Sequence, residues 1–188
     1  TRKESSAASD VYKRQRYIGW LKNTIVLGGI TALLAVAICV LLAYAARVSN
    51  SRVQALCNRI VSMGYAIPGA VIAVGILIPL SYLDNWNAQH GVTLILSGSV
   101  IALVYAYLVR FLAVSFQTVQ AGLLKITPAM DASARSLGDG LGSMLMRIHV
   151  PLLWRSVLTA GLLVFVDVVK ELPATLTIRP FNFDTLAV

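Results

Sequence analysis

The sequence predicts an all-α, polytopic membrane helix bundle, and three observations predict it. Hydrophobic residues make up 57% of the 188 positions and charged residues only 13%, against about 25% charge in an ordinary soluble domain. The mean hydropathy of +0.76 leaves too little polar surface to cover a core of this size, which rules out a water-soluble enzyme as the default. The apolar residues are also gathered into four runs of the length that about 30 Å of hydrocarbon demands from a helix pairing its own backbone. The net charge of +8 does not imply a nucleic-acid face: six of the 16 Lys and Arg lie within the first 22 residues, and most others fall in gaps between apolar runs. Cys39 and Cys57 have no CxxC spacing and read as packing residues.

The first span, about 25–46, contains no charge and is too long for a signal-peptide core. The second, about 60–82, carries Pro68-Gly69 and Pro79 and is expected to be kinked, with neighbouring helices satisfying the freed carbonyls. The third, about 94–116, holds Ser97, Gly98 and Ser99, small residues that let helices approach closely. Within it Arg110 reads as snorkelling to the inner end, with a paired site inside the bundle as the second reading. Tyr105 and Tyr107 read as lipid-belt or packing residues. The fourth span, about 152–172, is apolar until Asp167, Lys170 and Glu171 and stops at Pro173.

Loop charge sets the orientation. Arg47, Arg52 and Arg59 follow span one, and Lys125, Arg135 and Arg147 follow span three, so both gaps read as cytoplasmic. The gap 83–93 has no Lys or Arg and the tail has only Arg179, so both read as outside. Parity then puts the N-terminus outside, against Arg2, Lys3, Lys13, Arg14, Arg16 and Lys22. The conflict resolves by reading 1–15, polar and aperiodic, as a non-native or disordered segment, and 16–188 as the membrane domain.

The cytoplasmic stretch 117–151 has an organisation of its own. Thr127-Pro128 supplies a helix start, and Asp131 lies near the positive end of its dipole. Met130, Ala134, Leu137, Leu141, Leu145 and Ile148 recur at helical spacing. Gly138, Gly140 and Gly142 interrupt them, so two short helices joined by a tight bend are expected rather than one rod. A surface-lying amphipathic helix fits the periodicity equally well.

Ala132-Ser133-Ala134-Arg135-Ser136-Leu137-Gly138, then nine residues, then Ile148-His149-Val150-Pro151, resembles the EAA loop of binding-protein-dependent ABC importer permeases of the type I kind. Ala132 stands where that loop has glutamate, with Asp131 one place earlier, and Ser133 replaces an alanine. Tyr65-Ala-Ile-Pro68-Gly69-Ala and Phe165-Val-Asp167-Val-Val-Lys170-Glu171-Leu-Pro173-Ala-Thr175, followed by Arg179-Pro180-Phe-Asn-Phe183-Asp184-Thr185-Leu186, resemble the ferric-iron branch of these permeases. The resemblance covers about 16–188 and implies a multi-pass subunit of the bacterial inner membrane. Its elbow docks on a cytoplasmic ABC ATPase dimer, and its outer face receives cargo from a periplasmic substrate-binding protein. Ferric-type permeases are often one chain with two halves. This chain resembles the second half, paired with a second permease half or subunit and stopping before the family's final span.

The docking set implied by the resemblance is Asp131, Ala132, Ser133, Ala134, Gly138, Ile148 and Pro151. The plainer reading of Gly138 and Pro151 is helix punctuation, and Leu141, Leu145 and Ile148 read as packing against the spans. Asp167, Lys170 and Glu171 share a helical face by spacing. They form either a local ion cluster that fixes register or, with Arg110, part of the cargo path. No catalytic residue, cofactor or metal ligand set is expected, and without a GxxxxGK[ST] loop any ATP site belongs to another chain. The expected cargo is ferric iron, with thiamine, a polyamine or a phosphonate as alternatives. An intramembrane enzyme using Asp167 and Glu171, or a non-transporting anchor, is the reading from another class.

Overall fold

The computed structural model describes residues 2–48, 52–92, 95–181 and 183–187, without the side chains of 2–13 and 52–54. Among the described residues every regular element is helical. In chain order these are α1 (Arg2–Val48), α2 (Arg52–Met63), α3 (Gly69–Gln89), α4 (Val100–Leu123), α5 (Pro128–Ser136), α6 (Leu141–Met144), α7 (Val150–Lys170) and α8 (Pro173–Ile178). Among the described residues four rods are long and apolar enough to cross a membrane: Arg14–Val48, Gly69–Gln89, Val100–Leu123 and Leu141–Lys170. The polytopic all-α class and the four spans are those the composition predicts. The bounds of the spans differ, each for a local reason.

The first rod runs N-terminal of 25–46, because no proline or turn sequence interrupts 14–24, and Arg16 lies 5.2 Å from the Trp20 ring. The reading of 1–15 as non-native falls, apart from Arg14 and Gln15, on side chains outside the described residues. The second span breaks instead of kinking. Proline disfavours the helical region for the residue before it, and Ile67 is extended (φ −85°, ψ 131°) between a 3₁₀ turn, Gly64–Ala66, and Pro68 at the start of α3. Pro79 is accommodated inside α3. The third span starts at Val100, because Ser97, Gly98 and Ser99 build its entry turn and not a helix contact. Asp84 accepts the Leu96 N–H (2.7 Å), the Ser97 N–H (2.8 Å) and the Ser97 hydroxyl (2.5 Å), while Ser99 Oγ accepts the Ala102 N–H at 3.1 Å as a helix cap.

The chain divides into two compact units. One comprises Thr1–Ile30, Pro68–Tyr107 and Val166–Val188. In it α3 packs on α8, and the Tyr107 hydroxyl lies 2.6 Å from Thr175 Oγ1, which itself donates to the Glu171 carbonyl. Its last segment is held to α1: Asn23 donates to the Asp184 carbonyl (3.0 Å), and Thr24 Oγ1 accepts the Leu186 N–H (2.9 Å).

The other unit comprises Thr31–Ile67 and Leu108–Phe165. Its core joins Cys39 and Ala43 of α1, Phe116, Val119 and Leu123 of α4, Ile126, and Leu153 and Ala160 of α7. The small residues that permit close approach are therefore Ala35, Cys39 and Ala43, one turn apart and almost fully buried. Gly64 is pressed so closely on α4 that a Cβ there would lie 2.1 Å from the Val109 carbonyl oxygen.

Candidate functional site

The elbow between the third and fourth rods begins at Thr127, extended at φ −73°, ψ 149°, followed by Pro128 in the first turn of α5. Proline suits that position because its missing N–H would have no helical partner there. The helix ends because Gly138 adopts φ +88°, a left-handed conformation that glycine enters without a Cβ penalty. Its N–H bonds the Arg135 carbonyl (3.0 Å) and the Asp139 N–H bonds the Ala134 carbonyl (3.1 Å), the two bonds of a Schellman C-cap. The chain turns at Gly140 into α6, and a π turn, Leu145–His149, joins α6 to α7. The expected pair of helices with a tight bend is present. The second arm, however, runs into the fourth span as one rod, so Pro151 lies exposed inside a continuous helix and marks no junction between separate pieces.

The inner side of the elbow closes on one carboxylate. Asp131 Oδ2 accepts a charge-assisted hydrogen bond from Arg47 Nε at 2.7 Å, and Asp131 Oδ1 lies 3.2 Å from His149 Nε2. Arg47 donates its other fork nitrogens to the Leu123 carbonyl (2.9 Å), at the end of α4, and to the Ile126 carbonyl (2.7 Å). His149 is fully buried. Its Nδ1 is 3.1 Å from the Met144 carbonyl, and its ring meets Tyr44 edge-on at 4.9 Å. Its two ring nitrogens thus face the Met144 carbonyl and the Asp131 carboxylate. The Tyr44 hydroxyl donates to the Leu141 carbonyl at 2.8 Å. Asp131 lies in the first turn of α5, where the helix dipole further favours its negative charge.

The sequence-predicted docking residues divide between two sides of the elbow. Asp131 and Ala134 point inward and are buried, whereas Ala132, Ser133, Gly138 and Pro151 are exposed and Ile148 is half-buried. On the outer side a groove of about 420 Å³ is lined by Met130, Ser133, Leu137 and Ile148 among others, and Leu137 is 85% exposed. Leu141, expected to pack on the spans, is exposed as well.

Asp167, Lys170 and Glu171 do not share one environment. Helix α7 ends at Lys170, which is exposed, while Asp167 is half-buried. Glu171 is buried beyond the helix end, its Oε1 accepting the Ala174 N–H at 3.3 Å in the first turn of α8. Arg110 belongs to the other unit. Its Nη1 donates to the Ile67 carbonyl at 3.2 Å, and its guanidinium lies 5.6 Å from the Phe111 ring. Among the described residues no three His, Cys, Asp or Glu side chains converge as metal ligands would.

Sequence reasoning missed Tyr44, Arg47 and His149. The basic end of span one and the histidine of Ile148-His149-Val150-Pro151 were the available signals, but Arg47 and Asp131 are 84 positions apart and no local spacing pairs them.

Four membrane-length helices and a folded elbow between the last two define a multi-pass membrane protein of the helix-bundle class. No family model matches the chain. It is similar to the Fe(3+)-transport system permease protein FbpB 2 of Haemophilus influenzae, 25% identical over 172 residues, which are 92% of this chain and 32% of that protein. The match falls in the C-terminal portion of the relative, so the chain spans about a third of the length of the curated relative it matches. The kind of protein matched, and the part of it, agree with the ferric-iron resemblance carried by the stretches 65–70 and 165–186.

Proposed function

We propose that the chain is part of the permease of an ABC importer in the bacterial inner membrane. It passes ferric iron delivered by a periplasmic binding protein, and a separate cytoplasmic ATPase dimer drives it through the elbow. The observation that carries this reading is the two-sided elbow, an outer side of exposed small and apolar residues around Leu137 and an inner side fixed by Asp131. Such a permease makes and breaks no covalent bond and is not an enzyme. Nucleotide binding and hydrolysis in the partner alternate the spans between packings, and this requires that the partner grip a surface whose position differs between the two. The likeness to an Fe(3+)-transport permease favours iron as cargo; thiamine, a polyamine or a phosphonate are the competing outcomes.

The test uses the complete permease with its ATPase and binding protein. Leu137→Glu places a carboxylate in the docking face, and an unpaired buried charge costs more than the about 1.4 kcal/mol that corresponds to a tenfold loss of affinity. Co-purification of the ATPase and uptake of radiolabelled ferric iron by proteoliposomes should both fall at least about tenfold. Undiminished co-purification would refute docking at this face. Uptake of a competing cargo, but not of iron, by the unsubstituted complex would refute the cargo assignment.

A further inference from the structure

We infer that Arg47, Asp131 and His149 form an internal latch that makes α5 move together with the inner end of α1 and the start of α7. Asp131 is thereby a positioning residue and not a contact to the ATPase. The inference rests on the docking reading above. Both carboxylate oxygens face side chains of this same chain, Oδ2 the Arg47 Nε at 2.7 Å and Oδ1 the buried His149 Nε2 at 3.2 Å, and the Asp131 side chain is only 12% exposed. These partners come from different elements. Arg47 stands near the end of α1 and also holds the carbonyls of Leu123 and Ile126, where α4 ends and the chain approaches α5. His149 closes the π turn ahead of α7 and is braced by Tyr44 of α1.

A helix of nine residues is too short to be stable by itself in water, where roughly 12–15 residues are marginal. Its connection to α4, 124–127, is held by turn bonds such as Ile126 N–H to the Leu123 carbonyl at 3.1 Å. Gripped from outside and joined only through such a segment, α5 would swing without displacing the spans. The Arg47 bond on one side of the Asp131 carboxylate and the buried His149 ring against the other remove that freedom, and displacement of α5 then moves α1 and α7.

The experiment measures iron transported per ATP hydrolysed, and ATPase co-purification, for the complete transporter in proteoliposomes. Asp131→Asn and Arg47→Gln should each lower iron per ATP at least about fivefold, the lower end of coupling between sites, while the ATPase still co-purifies. Because both break the same pair, the double variant should be no worse than the worse single within about twofold. Arg47→Lys, which keeps the charge but not the fork, should be intermediate and serves if Arg47→Gln exposes the core thiol Cys39. A wild-type ratio in Asp131→Asn or Arg47→Lys overturns the latch. So does loss of co-purification in Asp131→Asn with Arg47→Gln unaffected, since that pattern marks Asp131 as a partner contact. Leu137→Glu run alongside separates the two ideas: retained co-purification there defeats the docking reading, whereas an unchanged ratio in the Asp131 and Arg47 variants defeats the latch alone.

Discussion

Arg47→Met removes a guanidinium that makes three hydrogen bonds, and the size of the effect follows from the geometry. The side chains of Arg47 and Asp131 are 17% and 12% exposed, and three donors are lost at 2.7, 2.9 and 2.7 Å. Removing one member of a buried ion pair typically costs 3–5 kcal/mol, because the other charge is left without its partner. The small residual exposure admits some water, so we take the lower end, about 3 kcal/mol. Arg47 bonds the carbonyls of Leu123 and Ile126, and both residues belong to the core that encloses Cys39. Cys39 therefore reports on the loss. In the complete permease, with exposed Cys57 and every cysteine outside this chain replaced by serine, a maleimide labels Cys39 only through opening of that core. A loss of about 3 kcal/mol raises the open population, and the labelling rate, about a hundredfold. Arg59→Met, at an exposed position, is the reference, since surface substitutions usually stay within about 0.5 kcal/mol. If Arg47→Met labels within about threefold of that reference, the bonds seen here do not hold the unit together and the reasoning fails.

Gly64→Ala should cost up to about 3 kcal/mol, because its Cβ would meet the Val109 backbone oxygen at 2.1 Å and backbone cannot rotate aside; Gly75→Ala, with nothing within 4 Å, should be neutral by the same Cys39 labelling. Gly138→Ala should destabilise the elbow by about 1 kcal/mol and Gly138→Asn by less, since φ +88° penalises a Cβ and asparagine tolerates it best; faster protease nicking at 137–140 reads this out. Tyr107→Phe leaves Thr175 Oγ1 without its 2.6 Å partner and should cost about 1 kcal/mol in thermal inactivation of the purified permease.

Composition and run length made the membrane class and the four spans legible, because lipid imposes both on any spanning helix. The helix start at Thr127-Pro128 and the bend at Gly138 were legible because caps and turns are local chemistry. The apolar pattern from Met130 to Ile148 misled at one point. Periodicity holds only along an unbroken helix, and the turn at Gly138 resets it, so Ala134 is buried while Met130, Leu137 and Leu141 are exposed. The i, i+3, i+4 spacing of Asp167, Lys170 and Glu171 would share one face only along an unbroken helix, and the helix end at Lys170 places Glu171 in another setting. Arg47 and His149 were not legible at all. Their partners are chosen by packing between elements far apart in sequence, and a charge at a span end reads as topology until the opposing carboxylate is seen.

Three prolines in apolar runs have three outcomes, and their surroundings distinguish two of them. At Pro68 the chain can leave the helix because the Ile67 carbonyl receives Arg110 from α4 and Gly64 lets the backbones touch; the break is supported 43 positions away. Pro79 stays inside α3. Pro151 offers no N–H to a carbonyl one turn earlier, and the helix answers by widening into the π turn Leu145–His149 just before it. That extra width has a use. It places one imidazole nitrogen of His149 3.1 Å from the Met144 carbonyl and the other 3.2 Å from Asp131 Oδ1. In a regular helix the residues there would be phased differently around the axis, and the histidine would not face the carboxylate in the same way. The proline that punctuates the elbow in the sequence therefore acts through the turn ahead of it, which sets the His149 ring against Asp131.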